Sequence, residues 1–156
     1  MINQFFENAK LIADKFEIIP LMYGSLGLEY ITDKNLNADD IDILIPEIFL
    51  NSRWNEFKSC LIDEGYTLSD EHEHTFEKSG IYYSYASAEE LSSFARINSD
   101  DVETRYKNGI PFKVLSLEQY LKVYKTSVKD GYRINVRKKK DNEKILFIEN
   151  FIKSGK

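Results

Sequence analysis

Two short stretches hold residues able to do chemistry together: Tyr23-Gly24-Ser25-Leu26-Gly27 and Asp40-Ile41-Asp42-Ile43. Side chains two apart on a strand share a face, with their Cα atoms about 6.5–7 Å apart. Asp40 and Asp42 would then stand side by side, while Ile41 and Ile43 anchor the opposite face. Two adjacent carboxylates repel each other unless a cation sits between them. Mg²⁺ suits oxygen ligands and is usually held by one or two carboxylates together with substrate phosphates. Gly24-Ser25 offers a small residue where backbone amides can approach a phosphate, and a hydroxyl to bond it. A phosphate grip followed by a metal-binding strand is a coherent site for nucleoside triphosphate chemistry. Taken singly, each signal has a plainer reading: an exposed acidic strand face, and a turn. The glycines of the dinucleotide fingerprint and the Gly-Lys-Ser/Thr ending of a Walker A loop are absent.

The chain that must position these residues has 156 amino acids, which points to one domain over 1–156. That length buries enough surface to fold without a disulfide or a structural metal. With 42% hydrophobic and 30% charged residues, wholesale disorder is excluded. No apolar run is long enough to span a membrane, and no basic region precedes an apolar stretch at the N-terminus. One cysteine, Cys60, excludes an intramolecular disulfide and a cysteine-cluster metal site. A cytoplasmic home with no membrane partner is the expectation. The net charge of −5 hides a split. Residues 1–121 carry 10 Lys/Arg against 22 Asp/Glu, a net of −12, and residues 122–156 carry 11 against 4, a net of +7. Either the basic end is a solvated helix, or it brings an anion-binding face to an acidic, cation-binding body.

The elements follow from periodicity. Phe5, Phe6, Ala9, Ile12, Ala13 and Phe16 recur at helical spacing. Ile18 to Tyr23 reads as a strand despite Pro20, and Leu26 to Ile31 makes about two helical turns before the polar stretch Thr32 to Asp39. Ile41, Ile43 and Ile45 give a strand of period two that Pro46 stops. Asn51 or Ser52 caps a helix with Trp54, Phe57 and Leu61 on its apolar face, ending at Gly65. Tyr66 to Glu77 and Ile81 to Ala86 flank a hairpin turn at Lys78-Ser79-Gly80. Ser87 and Glu90 form a capping-box pattern, and Phe112 to Leu115 is a short strand. Ser116 and Gln119 make a second capping box, for a helix stopped by Gly131. A last helix runs roughly from Asp141 to Ile152. The sum is an α+β fold: a small mixed or antiparallel sheet flanked by helices, with 116–156 as a basic, helical C-terminal part.

Apolar strand, Gly-Ser, short helix and Asp-Ile-Asp-Ile together resemble the nucleotidyltransferase superfamily typified by DNA polymerase beta. The likeness is greatest to its small lincosamide-type and minimal members. It covers Ile18 to Pro46 well and extends loosely to Leu115–Leu121 and Lys140-Asp141. It implies a nucleotidyltransferase-like fold and Mg²⁺-dependent transfer of a nucleotidyl group to a small-molecule hydroxyl, as in antibiotic-modifying relatives. It gives Asp40 and Asp42 as catalytic metal ligands, and Gly24 and Ser25 as contacts to the nucleotide phosphates. A lysine of the helix after Ser116, Lys125 or Lys129, becomes a further triphosphate contact. Two departures stand out. Fourteen residues separate Ser25 from Asp40, so Thr32 to Asp39 reads as an insertion. The family's third carboxylate belongs on the strand Ile81 to Ala86, which holds no acid, and Glu71, Glu73, Glu77 and Glu89 do not match the motif. The alternative is a catalytically degenerate domain of this fold that binds nucleotide or a protein partner.

The remaining candidates keep their alternatives. His72 and His74, read on a strand, share one face and either line the site, bind a metal or form a solvated pair. The face of Tyr83 and Tyr85 either packs or stacks a base. Arg133 follows the lysines of the helix after Ser116, and the run Arg137 to Lys140 is a solvated loop or touches RNA. A nucleic-acid partner is disfavoured by the net charge and the absence of a reading motif. The expected partners are a nucleoside triphosphate and a small-molecule acceptor, with a homodimer or protein partner left open. Cys60 reads as packing.

Overall fold

The computed structural model describes residues 1–129 and 135–155; Gly131 and Arg133, and the side chain of Arg137, lie outside the described residues. Helix α1 (Ile2–Phe16) leads to β1 (Leu21–Tyr23), α2 (Gly24–Thr32) and β2 (Ile41–Ile45). A 3-10 turn (Glu47–Leu50) and α3 (Trp54–Asp63) cross to β3 (Thr67–Asp70), β4 (Thr75–Lys78) and β5 (Ile81–Ser87). Then come α4 (Glu90–Ala95), β6 (Thr104–Lys107), β7 (Ile110–Val114), α5 (Leu117–Lys129) and α6 (Asn135–Lys153). The strands form one mixed sheet in the order β3-β4-β5-β2-β1-β7-β6. The β1–β7 and β2–β5 pairs are parallel and the others antiparallel. Among the described residues no helix is long and apolar enough to cross a membrane.

The alternation of residues sorts the two faces of the sheet. Met22, Ile41, Ile43, Phe76, Tyr83, Tyr85 and Phe112 share one face, and each is at most 2% exposed. Helices α1 and α3 close that face. Phe5 and Phe6 of α1 meet Phe112, Phe57 of α3 meets Tyr85, and Trp54 meets Phe76. Helix α5 lies on the opposite face, where Tyr120 stacks on Tyr23. The two faces of the sheet are therefore an aromatic core and a site wall.

Several local expectations change. Strand β1 begins after Pro20, which lacks an amide to give the ladder but accepts at its carbonyl from the Lys113 amide at 2.9 Å. Tyr66 to Glu77 is not one strand, because Glu71–His74 form a turn between β3 and β4 and His74 takes φ 53°. His72 and His74 thus do not share a strand face. Tyr83 and Tyr85 are core residues and offer no stacking surface to a base. Strand β5 runs on through Ser87, paired with Ile45, so Ser87 is buried in the sheet and no capping box opens α4. Arg53, not Asn51 or Ser52, occupies the N-cap of α3, without a side-chain cap bond. The Ser116–Gln119 box does form: the Gln119 amide donates to Ser116 Oγ at 3.1 Å and the Ser116 amide to Gln119 Oε1 at 2.9 Å. Edge strand β6 was not expected; it pairs with β7 across Asn108-Gly109, with φ 51° and 79°.

Buried tyrosines give the fold a pH limit. Desolvation raises the hydroxyl pKa of Tyr66, Tyr83, Tyr85 and Tyr120 above its ordinary value. These groups stay neutral in the folded chain, whereas the unfolded chain ionises near pH 10. Their stabilisation is complete below about pH 10 and is lost as the pH rises above it. Alkaline spectrophotometric titration should show the folded chain ionising its tyrosines later than the urea-unfolded chain, with as many as four tyrosinates missing above about pH 10. Coincident titration curves would refute this assignment.

Candidate active site

The site grows from the register of the central strands. Tyr23 pairs with Asp42, Asp42 with Ser84, and Ser84 with Thr75. The four side chains form a row across β1, β2, β5 and β4 on the face opposite the aromatic core. Asp40 precedes β2 and lines the same cleft as Asp42, a cavity of about 1120 Å³. Sequence spacing thus brings Gly24, Ser25, Asp40 and Asp42 to one place.

Gly24 has no substitute there. The chain leaves β1 with φ 63° at this residue, and an added Cβ would lie 2.5 Å from Asp42 Oδ2. The backbone therefore packs directly against the carboxylate. Tyr23, at the N-cap of α2, gives no side-chain cap bond. Gly24 and Ser25 thus bring the positive end of the α2 dipole to the cleft that they line.

Three further residues shape this corner. The Tyr120 hydroxyl donates to the Gly24 carbonyl at 2.9 Å. Its ring lies between Tyr23 (6.4 Å, 19°) and Tyr124 (6.0 Å, 15°). Gly27 is equally constrained, since a Cβ there would collide with the Tyr120 hydroxyl and reach 2.7 Å from the Met22 carbonyl. Burial, followed by Tyr124, Tyr23 and Asp42, holds the Tyr120 hydroxyl protonated and donating. From α6, Lys144 Nζ donates to Ser25 Oγ at 3.1 Å and sits 5.9 Å from the centre of the Tyr124 ring. Asp141, 5% exposed, accepts from the Ser127 hydroxyl at 2.7 Å and fixes α6 against α5.

The two nominated lysines lie elsewhere. Lys125 pairs with Glu149 at 3.5 Å on the outer side of α5 and α6, and Lys129 is exposed. Neither lines the cleft, where Lys140 and Lys144 stand instead. Lys140-Asp141 was legible as a pair. Lys144, which follows Lys140 and Asp141 by four and three residues and so shares their helix face, could have been found by extending that face one turn. Tyr120 carried no sequence signal beyond its place in the α5 helix.

The segment from Thr32 to Asp39 is organised rather than loose. The amides of Leu36 and Ala38 both donate to Glu29 Oε2, at 2.8 and 3.0 Å. This brings Asn35, Asn37 and Asp39 to the cleft.

Ser84 occupies the position beside Asp42 on β5, the strand to which the resemblance assigns a third acid. The substitutes considered do not fill its role. Glu71 is held below the usual carboxylate range by Lys58 (2.6 Å) and Trp54 (3.1 Å). Glu77 accepts from the Gly80 amide and Glu89 from the Glu47 amide. Glu73 lies in the exposed β3–β4 turn at the cleft rim. Among the described residues, no three His, Cys, Asp or Glu side chains are arranged to hold a metal ion. Asp40 and Asp42 supply two oxygen donors, which fits a Mg²⁺ held jointly with phosphates.

Tyr120→Phe should leave the fold intact but cost about 1 kcal/mol, by removing the bond to the Gly24 carbonyl. Gly24→Ala should cost more, about 2 kcal/mol or above, through backbone strain and contact with Asp42. Urea denaturation of both variants checks the order; an unaltered Gly24→Ala midpoint would contradict the packing described.

No family model matches the chain. It is 37% identical over 154 residues to Uncharacterized protein YnaI of Bacillus subtilis (strain 168), with 99% of each chain covered. It also resembles the solution structure of the antibiotic-resistance factor ANT(2'')-Ia, with a TM-score of 0.51 over 97% of this chain and 90% of that one. At 13% identity that likeness is one of fold, and the fold is nucleotidyltransferase-like. The chain belongs to the family of Bacillus subtilis YnaI, and it carries its site on an α+β, nucleotidyltransferase-like sheet.

Proposed function

We propose that this chain binds a nucleoside triphosphate in the cleft with Mg²⁺ and transfers its nucleotidyl group to a small-molecule hydroxyl. The observation that carries the reading is the corner where Gly24 meets Asp42 and Lys144 meets Ser25. A carboxylate for a cation, the positive end of a helix dipole, a hydroxyl and an ammonium converge there, as a triphosphate requires. Its likeness in fold to an antibiotic-resistance factor supports a small-molecule acceptor.

Bound Mg²⁺ would neutralise charge on the phosphates. Asp40 and Asp42 hold that ion. Amides of α2, Ser25 Oγ and Lys144 Nζ hold the outer phosphates, with Lys144 moving from Ser25 towards the anion. Tyr120 keeps the Gly24 backbone in place by its bond to the carbonyl. The acceptor oxygen attacks the α-phosphorus in line, the bond to the β-phosphate oxygen breaks, pyrophosphate leaves, and the hydroxyl proton passes to water. Positioning and charge neutralisation supply most of the acceleration. Ser84 beside Asp42 favours a second reading, in which the same cleft binds the nucleotide without transferring it.

Calorimetric titration with nucleoside triphosphates, with and without Mg²⁺, tests the site. Binding should require Mg²⁺ and weaken about tenfold or more in Asp42→Asn and in Lys144→Ala. Lys125→Ala should change it less than about twofold, since an exposed pair adds little. Pyrophosphate release in the presence of hydroxylated acceptors separates transfer from binding alone. Failure of every nucleotide to bind would remove both readings.

A further inference from the structure

We infer that the cleft takes one divalent cation with its nucleotide rather than two, because Ser84 stands where a further carboxylate would be needed to hold a second. This inference rests on the reading of Asp40 and Asp42 as cation ligands. In a two-metal site the ions lie about 3.5–4 Å apart and are clamped by shared ligands. The side chain beside Asp42 is placed to share an ion with it, since neighbouring strands are about 4.8 Å apart. That neighbour is Ser84, in register with Asp42 on the parallel strand β5.

The Ser84 hydroxyl is already engaged with Thr75 Oγ1 at 2.9 Å. A neutral hydroxyl in such a pair is a poor partner for a hard dication, which draws charge compensation from carboxylates. The next positions on the same face of β5 are Tyr82 and Ala86, which supply no charge. On β4, Glu77 lies opposite Tyr82, and its carboxylate accepts from the Gly80 amide at 2.6 Å in the hairpin turn. The row thus passes from a carboxylate at Asp42 to a hydroxyl pair at Ser84 and Thr75. Glu73 and Glu90 also line the cleft, but among the described residues no three acidic or histidine side chains are grouped to hold an ion, so the single ion stays with the triphosphate. Nucleotide binding is then strong relative to transfer.

Mn²⁺ titration of the full chain, followed by electron paramagnetic resonance at saturating non-hydrolysable nucleoside triphosphate, counts the ions directly. The wild-type complex should hold one Mn²⁺, and Ser84→Asp should hold two, with the second site at least tenfold tighter than any second site of the wild type. Two ions in the wild type overturn the inference and leave the proposed site standing. A spectrum identical to that of the free Mn²⁺–nucleotide complex overturns both. A folded Ser84→Asp chain, checked by circular dichroism, that still holds one ion overturns the assignment to Ser84. If that variant does not fold, the wild-type count still decides between one ion and two.

Discussion

The site depends on one close approach, that of the Gly24 backbone to the Asp42 carboxylate. Strand β1 is three residues long and lies between β2 and β7. It must end as soon as it has paired Tyr23 with Asp42, because the chain has to turn into α2 at that point. A residue with a Cβ at position 24 would push the carboxylate away or unpick the pairing. Gly27, one turn later, allows a second approach, that of the Tyr120 hydroxyl. Tyr120 in turn ties α5 to the Gly24 carbonyl, and α5 carries Ser127, which places α6 through Asp141. The position of Lys144 beside Ser25 is thus the far end of a chain of contacts that begins with a missing Cβ.

This order of contacts explains the uneven charge of the sequence. The acidic body, net −12 over residues 1–121, places Asp39, Asp40 and Asp42 along one cleft. The basic end, net +7, does not answer it lysine for lysine. Lys125 is spent on Glu149, in an exposed pair that contributes little. Lys144 is half-buried against Tyr124 and Ser25, where a positive charge is less screened and acts over a shorter distance. What matters is therefore the helix face on which a lysine falls, and the total is a poor guide to it.

The same distinction separates what the sequence revealed from what it hid. Asp40-Ile41-Asp42-Ile43 was legible because a strand alternates strictly, and one isoleucine face fixes where the carboxylates go. Gly24-Ser25 was legible through its spacing to that strand, and the Ser116–Gln119 box because both halves lie within four residues. Ser87–Glu90 has the same pattern and failed, since pairing of Ser87 with Ile45 outweighs a local cap. Tyr83 and Tyr85 look like binding aromatics in sequence, but the α3 face needed large rings to fill it. Asn108-Gly109 is a hairpin signal, but Thr104–Lys107 is so polar that its strand character shows only in the pairing with β7. The Tyr120–Gly24 bond spans 96 residues, and no local pattern announces it.

Ser84 fits this sheet as it stands. A carboxylate there would lie beside Asp42, and two such charges on neighbouring strands repel unless an ion binds between them. With Ser84 and Thr75 bonded to each other, this part of the row is satisfied without any ion and adds no charge to that of Asp40 and Asp42. The fold can thus set the Asp42 carboxylate, the start of α2 and a lysine around one cleft while the neighbouring strand position stays neutral. A neutral side chain at position 84 is then self-consistent with the sheet, and on the proposed reading of the cleft it makes holding a nucleotide and reacting it separable properties.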